Sequence, residues 1–341
     1  MLLSLTEDEA EPAIALTLHA AGGRQRLSPT AYDFLDLIAA AQPGKPELSA
    51  VAEGPPDPET GRRLRHQARQ QILRTAIALA VLNEAPTEAD HARLARTARQ
   101  LEVAEPAVDV IAAMAAGEVP LTLVRTVEFD AYRTPVPRDL ALLPAYARYL
   151  SLGLPAAAIH GAAPDDRLAA LFDGLAALPV GATGRAFADF YAAHGWRTPG
   201  RPGAVALPLT LHDWLHVYIG STTEPLGEVE VGAYAAGVTR HHLGFHNLLI
   251  VLLMFEHGMI GAMSGGPGLA PAGAGARRAL DRERGRGVTG TPDGGRAVAD
   301  AILRGRATNT DLYLGVDHLA QAATPLADLR RRYEIPPRLL G

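Results

Sequence analysis

The sequence predicts an all-α protein, with a helical N-terminal domain followed by a larger helical metal-binding domain. Three observations predict this. Apolar residues recur at three- and four-residue spacings along most of the chain, helix start signals stand in front of those stretches, and strand-like alternation is scarce. A length of 341 residues suits two domains or one large one, and 48% hydrophobic with 20% charged residues lies within the range of globular proteins. The expected layout is an N-terminal tail over 1–27, a helical domain over 28–133 and the larger domain over 134–341.

The elements follow in order. Ser28 is a natural N-cap and Pro29 suits the first helical position, with Tyr32, Leu35, Ile38 and Ala39 on one face. A second helix is expected from Gly61 to Asn83, because Leu64, Ala68, Ile72, Ala76 and Ala80 recur every four residues. Thr87 with Asp90 three positions on gives a capping-box start to a third helix through Leu94, Ala98 and Leu101, and a fourth follows over Pro106 to Ala116. The stretch Thr134 to Pro137 breaks the periodicity and marks the domain boundary. Beyond it, helices are expected over Asp165 to Leu178, Ala186 to His194, Leu243 to Met254, Arg296 to Arg304 and Pro325 to Tyr333. The Gly-, Pro- and Arg-rich stretch 264–295 predicts a long mobile loop, with Arg277, Arg278, Arg282, Arg284 and Arg286 on a solvated face.

Composition excludes several classes of function. With no Cys there are no disulfides, thiolate nucleophiles or sulfur-based zinc sites, so a metal would have to be held by His and carboxylates. A formal net charge of −5 gives no basic footprint for nucleic acid, and no nucleic-acid partner is expected. The N-terminus lacks a basic region and carries Glu7, Asp8, Glu9 and Glu11, the wrong charge order for a secretory leader. The expected location is therefore the cytoplasm. The apolar run Leu248 to Phe255 falls far short of the roughly 20 residues that span a bilayer.

Ile72 to Glu102, a long amphipathic helix, a short acidic turn and a second helix, loosely resembles the tellurite-resistance-B type of helical domain. That family often carries Asp-Gly at the turn, where this chain has Asn83-Glu84-Ala85. The acidic residues there read as a solvated turn and cap, and the domain as a packing or interaction module.

Six of the 12 His lie between His212 and His257. Chance alone gives about 0.4 His pairs at i, i+4 in such a chain, so one pair is weak and its surroundings decide. His212-Asp213-Trp214-Leu215-His216 is followed, after eleven residues, by Glu228. On a helix, His212 and His216 share a face and Asp213 lies three residues before His216. Gly220, Pro225 and Gly227 let the chain turn back and bring Glu228 to the same patch. The four side chains then form a candidate N₂O₂ metal site. Zinc is the first choice, and iron, manganese or cobalt would also accept these ligands. His241, His242 and His246 are candidates for orienting the ligands, or are simply polar positions on a packed helix.

His212, Asp213, His216 and Glu228, with Gly227 before the Glu, resemble the signature of the coenzyme Q biosynthesis protein four family: His-Asp-x-x-His, eleven residues, then Glu. Leu178 to Phe190 (LPVGATGRAFADF) is similar to the family's Leu-Pro-x-Gly-Thr-x-Gly-Arg stretch, and the resemblance extends from about Asp165 to Pro337. Where the family places Tyr and Arg before the His-Asp pair, Leu207 to Leu211 is apolar here. The resemblance implies an all-α fold, a bound divalent metal and a prenylated quinone precursor as partner. The implied activity is oxidative decarboxylation at ring carbon one, a lyase-type step, with the metal stabilising the phenolate. It also admits a place in a biosynthetic protein complex, peripheral contact with a membrane and a homodimer. The helix from Leu243 to Met254 would line a groove for an isoprenoid tail, or form ordinary core.

Competing classes keep different residues. A non-catalytic lipid-binding scaffold for quinone or natural-product biosynthesis would use the same metal for structure. A metal-dependent hydrolase is the third reading. In the metalloprotease pattern His-Glu-x-x-His, Asp213 would be one methylene short as the base. A phosphohydrolase of the His-Asp type needs a further Asp, and none occurs between Asp213 and Asp281. A ferritin-like di-iron site needs Glu-x-x-His repeats, where the chain offers Glu256-His257.

Overall fold

A computed structural model describes residues 5–52, 58–118, 163–257 and 288–338. Thirteen helices of six or more residues are found among them: α1 (Glu7–Ala21), α2 (Pro29–Ala40), α3 (Pro58–Arg63), α4 (His66–Asn83), α5 (Glu88–Gln100), α6 (Ala107–Ala115), α7 (Asp166–Asp173), α8 (Thr183–His194), α9 (Thr210–Ile219), α10 (Pro225–Val238), α11 (His242–Glu256), α12 (Gly294–Ala307) and α13 (Leu326–Arg332). No strand occurs among the described residues, only an isolated bridge between Ala182 and Pro325, so the all-α expectation holds.

The capping chemistry places several helices where the sequence predicts them. Ser28 Oγ accepts from the Ala31 backbone N–H at 3.2 Å with Pro29 at the first position of α2. The Thr87 backbone N–H donates to Asp90 Oδ2 at 2.9 Å while Asp90 N–H donates to Thr87 Oγ1 at 3.3 Å, a complete capping box for α5.

The N-terminal region differs from expectation at two places, and the helix expected from Asp165 to Leu178 is α7 followed by a 3-10 turn over Gly174–Ala177. The segment 1–27, expected as a tail, contains α1, which buries Ala10, Ala13, Ile14, Leu16, Leu18 and Ala20 and packs against α4. Glu7, Asp8 and Glu9 form its first turn, where negative charge complements the helix dipole, and Thr6 N–H donates to Glu9 Oε2 at 3.1 Å. The single helix expected from Gly61 to Asn83 is broken between α3 and α4. Arg65 sits at ψ 147° in the break, and Glu9 accepts from its backbone N–H at 3.1 Å and from its guanidinium at 2.9 and 2.5 Å.

Helices on either side of the expected boundary share one hydrophobic core. α2 packs against α12 and α4 against α11, and the buried cluster runs from Leu5 to Tyr333. At the α2–α12 crossing a Cβ on Gly295 would lie 2.0 Å from the Thr30 carbonyl oxygen, so only glycine allows that approach. The boundary at Thr134 to Pro137 lies outside the described residues, as does the expected loop at 264–295 up to residue 287. From Val288 that stretch forms a short 3-10 turn, Val288–Gly290, and the start of α12.

α10 is the central helix, packed against both α11 and α12 and buried on nearly every side, including Val229, Val231, Ala233, Tyr234, Ala235 and Ala236. α11, offered by its sequence as groove lining or core, buries Leu243, Phe245, Leu248, Leu249, Leu252 and Leu253 against α10 and α4. No helix among the described residues is long and apolar enough to cross a membrane.

Candidate metal centre

The centre forms where α9, α10 and α11 meet. A 3-10 turn over Leu207–Leu209 leads into α9, and Thr210 Oγ1 donates back to the Leu207 carbonyl at 2.7 Å. Leu211, Trp214, Leu215 and Tyr218 anchor α9 in the core, which turns the His212 and His216 face inward; the two residues are 9% and 2% exposed. Gly220 ends the helix in the left-handed region at φ 72°, and the chain reverses over a few residues into α10, with Pro225 at its first position. Glu228, in the first turns of α10, arrives beside the histidines.

His212, His216 and Glu228 each offer one ligand atom, all within 4.8 Å of one another. His212 Nε2 lies 2.9 Å from Glu228 Oε2 and 3.1 Å from His216 Nε2, and His216 Nε2 lies 3.5 Å from Glu228 Oε2. Two ligands at about 2.0 Å from a tetrahedral zinc stand roughly 3.3 Å apart, so the three edges bracket the separation that one shared ion requires.

The outer hydrogen bonds make the chemistry sharper. His212 Nδ1 lies 3.0 Å from Asn247 Oδ1 on α11, and His216 Nδ1 lies 3.2 Å from the Ser221 carbonyl oxygen. Both partners are oxygens that only accept, so Nδ1 of each ring is the donor in its bond and Nε2 of each ring faces the shared point. Two imidazole nitrogens and a carboxylate oxygen therefore face one another, as the ligands of one shared cation would. Burial opposes charge on both His212 and Glu228. The pairing outweighs it, raising the His212 pKa above the ordinary imidazole value and holding the Glu228 carboxyl down at about 2. The donor set fits a divalent metal.

Asp213, the fourth expected ligand, does not belong to this group of three. Its Oδ2 accepts from the Tyr191 hydroxyl of α8 at 2.5 Å, and burial raises its pKa. The stretch Leu178 to Phe190 leads into this wall of the site: Phe190 stacks on the His216 ring at 5.3 Å and 24°, and Phe187 stacks between Tyr191 and Trp214.

The histidines at the start of α11 face other partners. The His241 ring caps the helix, Nδ1 accepting from Leu243 N–H at 3.3 Å, and His246 Nε2 faces Glu105 Oε1 at 3.8 Å. Burial lowers the His242 pKa to about 4. Their expected place is taken by Asn247, one residue further along the helix. Its sequence signal is an amide at the head of the apolar run Leu248 to Phe255.

The chain matches no model of a protein family, and no curated protein matches it.

Proposed function

We propose that the protein is a metal-dependent enzyme acting on a quinone-type, prenylated or simpler aromatic precursor that bears a carboxylate and a hydroxyl, by oxidative decarboxylation at ring carbon one. The observation that supports this reading is the convergence of His212 Nε2, His216 Nε2 and Glu228 Oε2 on one point. The choice of substrate rests on the resemblance of His212, Asp213, His216 and Glu228 to the coenzyme Q biosynthesis protein four signature.

A divalent metal held by these residues would supply Lewis-acid stabilisation of a ring phenolate. Two neutral imidazoles and one carboxylate leave one unit of positive charge on such an ion, which favours an anionic ring over a neutral one. Zinc is the first candidate, and iron, manganese or cobalt suit the same donors. In the reaction the bond from the ring carbon to the carboxyl carbon breaks and CO₂ leaves. An oxygen atom from dioxygen forms the new hydroxyl and takes the carboxyl proton, one half-equivalent of dioxygen being reduced per ring. The residues of the chain bind and orient: Phe190 covers the His216 ring, and Glu228, whose carboxyl is held down at about 2 by its histidine partners, supplies the one negative ligand.

Purified protein is tested with a prenylated hydroxybenzoate-type acid under air, measuring released CO₂ beside elemental analysis. Turnover that disappears in His216→Ala, with helicity retained, supports the enzyme. Bound metal and tight prenyl-lipid binding without CO₂ would replace it with a scaffold.

A further inference from the structure

The two imidazoles are held differently from behind. His216 Nδ1 is taken by a backbone carbonyl, that of Ser221, which no side-chain substitution removes. His212 Nδ1 is taken by a side chain, Asn247 Oδ1, at 3.0 Å. Asn247 is 7% exposed and lies on α11, a different helix from its partner, and its Nδ2 donates to the Tyr313 hydroxyl at 3.1 Å. Tyr313, 2% exposed, belongs to the segment between α12 and α13. A buried chain of hydrogen bonds thus runs from the His212 ring through Asn247 to Tyr313.

We infer that Asn247 is a positioning residue for the metal centre: its amide oxygen keeps the proton of His212 on Nδ1 and thereby leaves Nε2 bare for the ion. The inference rests on the metal reading above. A neutral imidazole has one proton for two nitrogens, and a protonated Nε2 cannot ligate. Glu228 Oε2, 2.9 Å from Nε2, would by itself draw that proton inward. The Asn247 oxygen is the acceptor that competes for it from the other side. It also fixes the plane of the ring, which aims the lone pair at the point shared with His216.

The test uses full-length protein stripped of metal and titrated with cobalt(II), reading both affinity and the visible d–d spectrum. Asn247→Leu, close in volume, removes the acceptor and is expected to weaken cobalt binding by about 10- to 100-fold with an altered spectrum. Asn247→Asp keeps an acceptor in the same place and is expected to bind at least as tightly as wild type. A folded Asn247→Leu with wild-type affinity and spectrum would overturn the inference, as would an Asn247→Asp that loses tenfold. The aspartate variant preserves shape, so a tenfold loss there overturns the inference even if the leucine variant does not fold. Wild-type protein that binds no cobalt would sink the metal reading itself, an outcome separate from loss confined to the variants.

Discussion

The guanidinium of Arg330, on the short helix α13, closes the last turn of the histidine-bearing helix α9: its Nε donates to the Tyr218 carbonyl at 2.8 Å and its Nη2 to the Val217 carbonyl at 3.0 Å. The last carbonyls of a helix have no partner within it, and a cation there also answers the negative end of the dipole. Arg330→Met keeps the stem and removes both donors. It is expected to cost about 1 kcal/mol, the net worth of such bonds at a solvent-accessible site, read as a lower denaturant midpoint with an unchanged slope. An unchanged midpoint would mean that water replaces the guanidinium without loss.

Ligands that meet only in the folded state link metal binding to stability. Zinc supplied at 100 times its dissociation constant is expected to raise unfolding free energy by about 2.7 kcal/mol, and a chelator to reverse the gain. His216→Ala and Glu228→Gln each remove a member of the trio and are expected to abolish the zinc effect on the melting temperature. A gain that persists in both variants would place the ion elsewhere.

The parts of this centre that were legible in the sequence are local. His212 and His216 are one helical turn apart, and Gly220 and Pro225 announce the reversal that returns Glu228, so short-range geometry suffices. α2 and α5 were legible for the same reason, because Ser28 and Thr87 cap within three residues. What stayed hidden depends on residues distant in sequence. Asn247 meets His212 across 35 positions and Tyr313 across 66, and the break at Arg65 depends on Glu9, 56 positions away. α1 was obscured by Pro12 inside it and by an acidic first turn that resembles a solvated tail. Among the α11 side chains, one step of about 100° around the helix separates His246, which faces Glu105, from Asn247, which faces His212.

Glu9 carries a pH dependence whose sign follows from its partners. Hydrogen bonding to Arg65 is the largest influence and, with the Thr6 cap, it holds the carboxyl at about 2 against an ordinary 4.5. A carboxyl whose folded pKa lies below its unfolded one contributes stability above the unfolded value, and loses it as pH falls through the window from 4.5 to about 2. Thermal unfolding of wild type is therefore expected to lose more stability between pH 5 and pH 3 than Glu9→Gln, which has nothing to titrate there. Parallel pH profiles for the two proteins would remove Glu9 from this role.

The crossing of α2 and α12 offers a test of the shared core. A Cβ at Gly295 would lie 2.0 Å from the Thr30 carbonyl and 3.1 Å from the Phe34 nitrogen, and backbone on both sides has little room to yield. Gly295→Ala is expected to destabilise by about 1–3 kcal/mol, the range for overpacking in a filled interior. If the N-terminal helices and the metal-bearing helices unfold as one body, intrinsic fluorescence from Trp196 and Trp214 and circular dichroism will shift together. Separate transitions would show that the two halves unfold independently.

Asp213 separates a three-residue donor set from a four-residue one. Its carboxylate is engaged by the Tyr191 hydroxyl at 2.5 Å, and burial raises its pKa, so its surroundings disfavour the charge that the trio requires of Glu228. Asp213→Asn retains an oxygen for Tyr191 and loses the charge. It is expected to keep one metal per chain with affinity within a few-fold of wild type, whereas Glu228→Gln loses binding. Isothermal titration of both variants with zinc makes the comparison, with Tyr191→Phe as a control that frees the Asp213 carboxylate without removing it. If Asp213→Asn loses the metal as fully as Glu228→Gln, then the carboxylate leaves Tyr191 when the ion arrives, and the fourth position on the metal belongs to Asp213 rather than to a water or a substrate oxygen.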